Sequence, residues 1–410
     1  MDTIRTSNFY SQCALCFKHC ALRVLLCIVG TWSAAHGYAI DWPAMAVPVI
    51  NYSPETNWLF GAAAQGYFQI PEQQRTSIVQ IDGAYSLQHQ WYINAQGTLY
   101  FAGKKPFRLL FRGGYRDYPD IYYPLGNGGK QKPVRKTGQV YTSQRGYFHI
   151  EPTWQPVGNF GIGIVGDFIT EHTTQLTVPH PDMLMWGLGL VLQYDSRDNT
   201  FYPHKGLFFK AMVTYYDKNV GSTECLTHID FDLRQYIPLY KELIFAWQFR
   251  TTWAATKKDA LLPFQMLPTI GGQDLLRGVP RNMYRDDLMF ALQGELRIPI
   301  WKYLKGCIFG GFGDVYNISS HSNPTPQNQT PLSDTPDTPI PYPNSPVSYR
   351  NSPSDKQKGG YIKVGYGAGL RLTINRAKVN IRFDVARNNI DRAWNTLQSY
   401  SFYLTATEAF

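Results

Sequence analysis

The sequence predicts an all-β protein, a single 16-stranded antiparallel transmembrane β-barrel. Three observations support this prediction. Apolar and polar residues alternate along most of the chain, and the connections between the predicted strands alternate between short and long. The composition is also rich in aromatic residues (15%) and poor in charged ones (17%), against roughly 25% charged residues in ordinary soluble domains. No apolar run reaches the roughly 20 residues that a spanning helix needs, so a helical membrane protein is excluded.

The N-terminus has the layout of a secretory signal peptide. An apolar run at 24–35 follows scattered basic residues and precedes small residues that end at Ala39. This is the order of the basic, apolar and cleavage-site regions of a secretory signal peptide. We therefore predict a cleaved signal peptide at 1–39 and a barrel domain at 40–410. Of the six cysteines, Cys225 and Cys307 lie outside this leader, too few for a disulfide framework.

Period-two alternation identifies the strands. In the clearest case Leu292 and Leu296 lie on one face, and Gln293, Glu295 and Arg297 on the other. A soluble sandwich would also alternate, so the pattern alone leaves that alternative open. The predicted strands are 45–53, 57–70, 75–88, 91–102, 106–116, 138–155, 158–168, 184–195, 206–216, 225–237, 242–254, 286–300, 305–317, 361–374, 376–387 and 400–410.

The lengths of the connections favour a membrane barrel. Short connections such as 103–105 and 301–304 alternate with long ones such as 117–137, 255–285 and 318–360. Short turns at one end, long loops at the other and an even strand count are typical of bacterial outer-membrane barrels. The many Tyr, Trp and Phe residues fit the aromatic girdles of such barrels, although use of these rings in a core remains an alternative. Segment 318–360, rich in Pro and Ser, is predicted to be a mobile outer loop.

No motif supports catalysis. The glycines at 161, 163 and 166 match a dinucleotide-binding pattern but lie within a predicted strand with no helix after it. His321 lies in the Pro/Ser-rich loop, and no G-x-S-x-G nucleophile motif accompanies it. We therefore predict that the protein is not an enzyme and has no cofactor, no metal and no nucleic-acid partner.

Three segments carry a family resemblance. The segment 187–206, GLGLVLQYDSRDNTFYPHKG, contains a Y-D-x-R-D…P…G pattern; 271–278 reads GGQDLLRG; and 365–384 reads GYGAGLRLTINRAKVNIRFD. Together they resemble the bacterial surface antigen family, the BamA/TamA-like outer-membrane assembly and translocation barrels. The residues that carry the first pattern are Tyr194, Asp195, Arg197, Asp198, Pro203 and Gly206.

The resemblance implies an inward-folded sixth outer loop. In that family the loop tip enters the lumen, and its arginine pairs with acidic residues of the wall. Here the matching tip is Leu276-Arg277-Gly278, and the candidate partners are Glu295 and Asp314. A guanidinium in a narrow lumen needs a carboxylate, so we predict a structural lock. The alternative is unrelated charges in a water-filled lumen.

Two substitutions in the lock depart from the family pattern. Val279 replaces the aromatic residue that follows Arg-Gly, and Tyr316 replaces a glycine after the aspartate, so a looser or differently packed lock is expected.

A third departure lies at the N-terminal side of the barrel. Few residues separate Ala39 from the first predicted strand, so we also expect a form without the family's periplasmic POTRA repeats.

The predicted function is assembly or insertion of outer-membrane proteins, or protein translocation, through a seam between the first and last strands. Pro48 cannot donate to a strand ladder and fits an edge strand, or simply marks a strand end. Val49 and Leu404 are the predicted seam pair, and the terminal Phe410 resembles the C-terminal recognition signal of such barrels. The expected partners are outer-membrane lipids and lipopolysaccharide, unfolded outer-membrane proteins and a separate periplasmic capture complex.

Two other functions remain open. A passive channel would be biased toward anions by Arg234, Lys363, Arg371 and Arg382. A structural outer-membrane component would bind lipopolysaccharide phosphates through the basic outer segment at 130–136.

Overall fold

Sixteen antiparallel strands form a closed barrel, which confirms the predicted fold class. The computed structural model describes residues 44–54, 56–68, 76–101, 106–123, 125–127, 139–175, 182–200, 202–256, 262–301, 303–318, 361–373, 380–390 and 400–405. The predicted signal peptide, the loop from 319 to 360, the basic segment 130–136 and Phe410 lie outside these residues.

The strands follow one another around the barrel in chain order, each hydrogen-bonded to its neighbour. The first nine are β1 Ala44–Ser53, β2 Asn57–Phe68, β3 Ser77–Ser86, β4 Trp91–Phe101, β5 Phe107–Tyr122, β6 Gln139–Val157, β7 Phe160–Thr174, β8 Asp182–Asp195 and β9 Gly206–Tyr216. The others are β10 Leu226–Tyr240, β11 Leu243–Ala255, β14 Leu288–Trp301, β15 Leu304–Tyr316, β16 Lys363–Thr373, β17 Asn380–Asn388 and β18 Ser401–Thr405.

A further short pair, which the sequence pattern did not predict, lies in the connection between β11 and β14. It consists of β12 Thr269–Ile270 and β13 Tyr284–Arg285. Strands β5, β6 and β7 also extend beyond their predicted ends. Among the described residues, the helical segments are two short 3-10 turns, Lys218–Val220 and Phe264–Met266, and no helix there is long and apolar enough to span a membrane.

The two faces of the wall have opposite polarity, with the polar face inside. Along β8, Leu188 and Leu190 are 75% and 64% exposed, whereas Gln193 and Asp195 are buried. On β14 the polar face that contains Glu295 is likewise the buried one. A soluble fold buries its apolar face, so this inversion is what a barrel with a polar lumen and a lipid-facing exterior requires.

Within the described residues the barrel closes between β1 and β18 through one register pair, Tyr52 opposite Leu404. On its other edge β1 pairs with β2 from Ala44 to Ser53. Pro48 and Val49 lie in this second ladder, opposite Ala62 and Gly61.

Candidate functional site

The connection between β11 and β14 (residues 256–287) contains a tight turn at residues 271–279, called here the tip. Gly278 has a φ of +97°, and a Cβ there would overlap the backbone of Arg387, so only glycine fits without strain. Leu276 also has a positive φ, +59°. Such strain in a non-glycine residue persists when the surroundings fix it.

Apolar packing holds the tip. Leu276 and Val279 are buried in one cluster with Met289 of β14 and Val315 of β15. Val279, the departure from the family pattern, therefore packs as a small core residue. The aromatic ring beside the tip comes instead from the wall. The Arg277 guanidinium carbon lies 3.6 Å from the centroid of the Phe309 ring.

Arg277 binds two carboxylates. Its Nη2 donates to Glu295 Oε2 and its Nη1 to Asp384 Oδ2, both at 2.7 Å. All three side chains are at most 1% exposed. Charge-assisted hydrogen bonds of this kind, removed from water, are among the strongest polar contacts in proteins. The predicted partner Glu295 is thus beside Arg277.

A second arginine ties the same carboxylates together. Arg371 of β16 donates to Asp384 Oδ1 at 2.6 Å and to Glu295 Oε2 at 3.3 Å. Arg277, Glu295, Arg371, Asp384 and Arg297 are named here the tip cluster. Its members come from the connection and from β14, β16 and β17.

The tip also contacts the last two strands. The Gly278 N–H donates to the Tyr403 hydroxyl of β18 at 3.2 Å, and its carbonyl accepts from Asn388 Nδ2 at 2.6 Å. The Leu276 N–H donates to Gln293 Oε1. A Cβ at Gly365 would overlap the Arg277 carbonyl oxygen. The tip therefore rests on all five strands from β14 to β18.

Asp314 lies elsewhere than the sequence suggested. It binds Lys363 of β16 at 2.6 Å, with both side chains fully buried, and no ion pair joins it to Arg277 among the described residues. The second carboxylate on Arg277 is Asp384, which sequence reasoning missed as a site residue. Asp384 is the last residue of the third resembling segment and lies on the polar face of its strand, which was the available signal.

The family-like turn between β8 and β9 (residues 196–205) is built on one bidentate ion pair. Arg197 donates to both oxygens of Asp195, at 2.9 and 3.1 Å, and its guanidinium stacks on Phe208. Gly206 has a φ of +117°, and a Cβ there would overlap the Ser196 carbonyl. Tyr194 is partly exposed on the outer face.

Asp198 organises the rest of this turn. Its Oδ1 accepts the backbone N–H of His204 at 2.9 Å and that of Lys205 at 3.3 Å. Partial burial raises the pKa of Asp198, but the two N–H donors outweigh it and hold the pKa below its ordinary value. A carboxylate kept ionised in this way fixes the turn.

The turn reaches the tip cluster through Arg297. The Arg297 Nη1 donates to the Pro203 carbonyl at 3.2 Å, while its Nε donates to Glu295 Oε1 at 2.9 Å. Tyr202 of the turn is fully buried, and the centroid of its ring lies 4.7 Å from the Arg297 guanidinium carbon. Glu295 therefore joins a connection from one end of the barrel to a turn from the other.

The cations expected to bias a channel toward anions are paired. Lys363 binds Asp314, Arg371 binds Asp384, and Arg234 binds Asp232 through two nitrogens. Arg382 contacts Asp274 at 3.3 Å. Their charges are thus largely compensated within the wall.

A closed barrel with a polar lumen, an apolar exterior and a loop tip fixed to its wall defines the class of outer-membrane β-barrels. A family model described as the Omp85 superfamily domain matches residues 176–410, and the chain belongs to the Omp85 superfamily. This confirms the resemblance to BamA/TamA-like barrels.

Solved structures share the fold. BamA from Haemophilus ducreyi, lacking POTRA domains 1–3, aligns with a TM-score of 0.54 and 13% identity, over 90% of this chain and 70% of that chain. CdiB from Escherichia coli aligns with a TM-score of 0.52 and 11% identity, over 90% of this chain and 63% of that one. The chain thus spans under two thirds of CdiB. No curated protein sequence matches it.

Proposed function

We propose that this barrel assembles or inserts outer-membrane proteins, or translocates polypeptides, by opening between β1 and β18. The observation that carries the proposal is the closing contact. It joins the first and the last strand of the barrel, with Tyr52 of β1 opposite Leu404 of β18. Every other pair of neighbouring strands is consecutive along the barrel and joined by a connecting segment, so β1 and β18 are the neighbours that can separate without straining a connection.

The tip supports this mechanism by its position. It binds the strands from β14 to β18, and its contact with Tyr403 lies next to Leu404, the seam residue. The tip therefore braces one side of the seam as a unit, and opening would move β1 against that braced sheet. The apolar exterior contacts outer-membrane lipid, and a periplasmic complex delivers the client.

A disulfide across the seam is expected to block function. The pair suggested by sequence, Val49 and Leu404, is offset, because Leu404 lies opposite Tyr52. Three residues of strand displace the Cα atoms by about 10 Å, beyond the roughly 7 Å limit for a disulfide. The Tyr52→Cys/Leu404→Cys variant should lose client assembly when oxidised and regain it with reductant.

The matched control is Ile50→Cys/Phe60→Cys, a directly opposed pair between β1 and β2. Its oxidation fixes a ladder that stays closed and should leave assembly intact. Full assembly by the oxidised Tyr52/Leu404 variant would refute gating at this seam.

Depletion tests the function itself. Removing the protein from its native host should lower the abundance of other outer-membrane barrels, or of one exported client, measured by quantitative mass spectrometry of the outer membrane. Re-expression of the wild type should restore them. Unchanged abundance of all of them contradicts the proposal.

The second candidate function is a passive channel, favoured by a lumen cavity of about 1010 Å³ lined by the connection and by residues of β1, β2, β4–β7, β9–β11 and β14. A large, steady conductance in planar bilayers would support the channel. Brief, infrequent openings would support the gated barrel.

A further inference from the structure

An arginine stripe runs along the wall of the lumen cavity, opposite the tip cluster. Arg112 and Arg116 lie four residues apart on β5, so both point to the same face of the strand. Arg145 of β6 lies directly opposite Arg116 in the ladder. All three line the cavity of about 1010 Å³. These three residues are the arginine stripe.

The wall gives the stripe few direct charge partners. Within the described part of the chain, neither Arg112 nor Arg116 forms an ion pair, and Arg145 reaches Glu171 at 3.4 Å. Arg116 has an aromatic neighbour, Tyr118, at 5.6 Å from the ring centroid, and its Nε has no hydrogen-bond partner.

The acidic residues of the same cavity, in contrast, have partners. Asp167 binds His149 at 2.5 Å and Tyr216 at 3.1 Å. Asp230 binds His228 and Thr252. Glu171 and Asp232 bind Ser143 and Arg234, and Asp120 accepts from Asn282. Apart from Glu171, which Arg145 also reaches, these carboxylates thus have their direct contacts with residues outside the stripe.

The arrangement is unfavourable for folding. Like charges directly opposed across a ladder destabilise it, and Arg116 and Arg145 occupy such a pair. A local rule broken without compensation inside the fold is typical of a binding site. What would compensate the stripe is an anion in the cavity.

We propose that the arginine stripe binds a carboxylate-rich polypeptide segment in extended conformation. Arg112 and Arg116 are about 13 Å apart along β5, at about 3.3 Å per residue. Same-face side chains of an extended peptide recur about every 6.6 Å, so acidic residues four positions apart match Arg112 and Arg116, and a segment with acidic residues at alternate positions contains such pairs. Tyr147 and Tyr92 line the cavity beside it and offer rings to the peptide backbone.

This proposal rests on the proposed function, because it assigns the class of client segment that enters the lumen. The test is direct binding to the full barrel in detergent, measured by fluorescence anisotropy. The probe is a labelled octapeptide of alternating Glu and Ser, with an octapeptide of alternating Lys and Ser as the control probe. The wild type should bind the acidic peptide, and increasing salt should weaken binding.

The Arg112→Gln/Arg116→Gln variant should bind the acidic peptide at least about tenfold more weakly, since two charge-assisted contacts are lost. The matched control is Arg250→Gln, on the opposite wall of the same cavity. Arg250 is 3.8 Å from Asp230 and 43% exposed, and its loss should change affinity less than about twofold. The double variant should melt no earlier than the wild type, because it relieves repulsion, so its weaker binding cannot come from misfolding.

Three outcomes overturn the proposal: no binding of the acidic peptide to the wild type, equal binding by the double variant, or displacement of the peptide by equimolar tripolyphosphate. The last outcome assigns the stripe to polyanions in general. Depletion separates this proposal from the proposed function: a fall in client barrels with no peptide binding refutes the stripe alone.

Discussion

The Arg277→Ala variant is expected to melt well below the wild type in detergent. The substitution leaves Glu295 and Asp384 buried with fewer cations and removes the contact with Phe309. Breaking a buried pair of this kind typically costs about 3–5 kcal/mol. The measurement is the temperature at which the folded, faster-migrating barrel converts to the unfolded form on a gel, checked by circular dichroism.

The control for Arg277→Ala is Arg250→Ala. Arg250 also faces the lumen, but it is 43% exposed and 3.8 Å from its carboxylate, so its removal should cost less than about 1 kcal/mol. If Arg277→Ala and Arg250→Ala melt together, the tip does not brace the wall.

Glu295→Gln is expected to have an effect at least as large. Glu295 is the acceptor shared by Arg277, Arg371 and Arg297. The neutral amide would leave three buried guanidiniums with Asp384 as the remaining carboxylate of the tip cluster. An uncompensated buried charge is the main cost of breaking such a pair, about 3–5 kcal/mol. The Glu295→Gln substitution should also loosen the 196–205 turn, which Arg297 links to Glu295. Faster tryptic cleavage after Arg197 or Lys205 would report this change.

The control here is Glu224→Gln, the same change in an ion pair with the exposed Lys218 outside the spanning strands, where little or no loss of stability is expected. Since Arg277 and Glu295 share a hydrogen bond, the double variant Arg277→Ala/Glu295→Gln should lose less stability than the sum of the single losses. Additive losses would mean that the two residues stabilise the barrel independently.

The strands were predictable because their signal is local. On β14 the alternation of Leu292, Gln293 and Glu295 indicates two different environments within four residues. The extension of β5 to Tyr122 was missed, since beyond Arg116 the sequence contains Tyr, Asp and Pro in place of clear alternation. The ladder with β6 keeps that segment extended.

The candidate site was predictable in part. The resemblance identified Arg277 and Glu295, which lie in contact. It also suggested Asp314, but the structure places that carboxylate on Lys363 and brings Asp384 to Arg277 instead. Asp384 is 107 residues from Arg277 in the chain, and no local pattern specifies which of two lumen-facing aspartates a loop tip will reach.

The sequence by itself determined the barrel class, the number of strands and which face of each strand is polar. These properties follow from the period of two and from the requirement that backbone groups in lipid be paired. Only the tertiary structure decided which charges meet in the lumen. Among the described residues, Lys363, Arg371 and Arg382 form ion pairs there, whereas Arg112 and Arg116 do not. Partners inside a closed barrel depend on its curvature, register and loop path, which bring together residues distant in the chain.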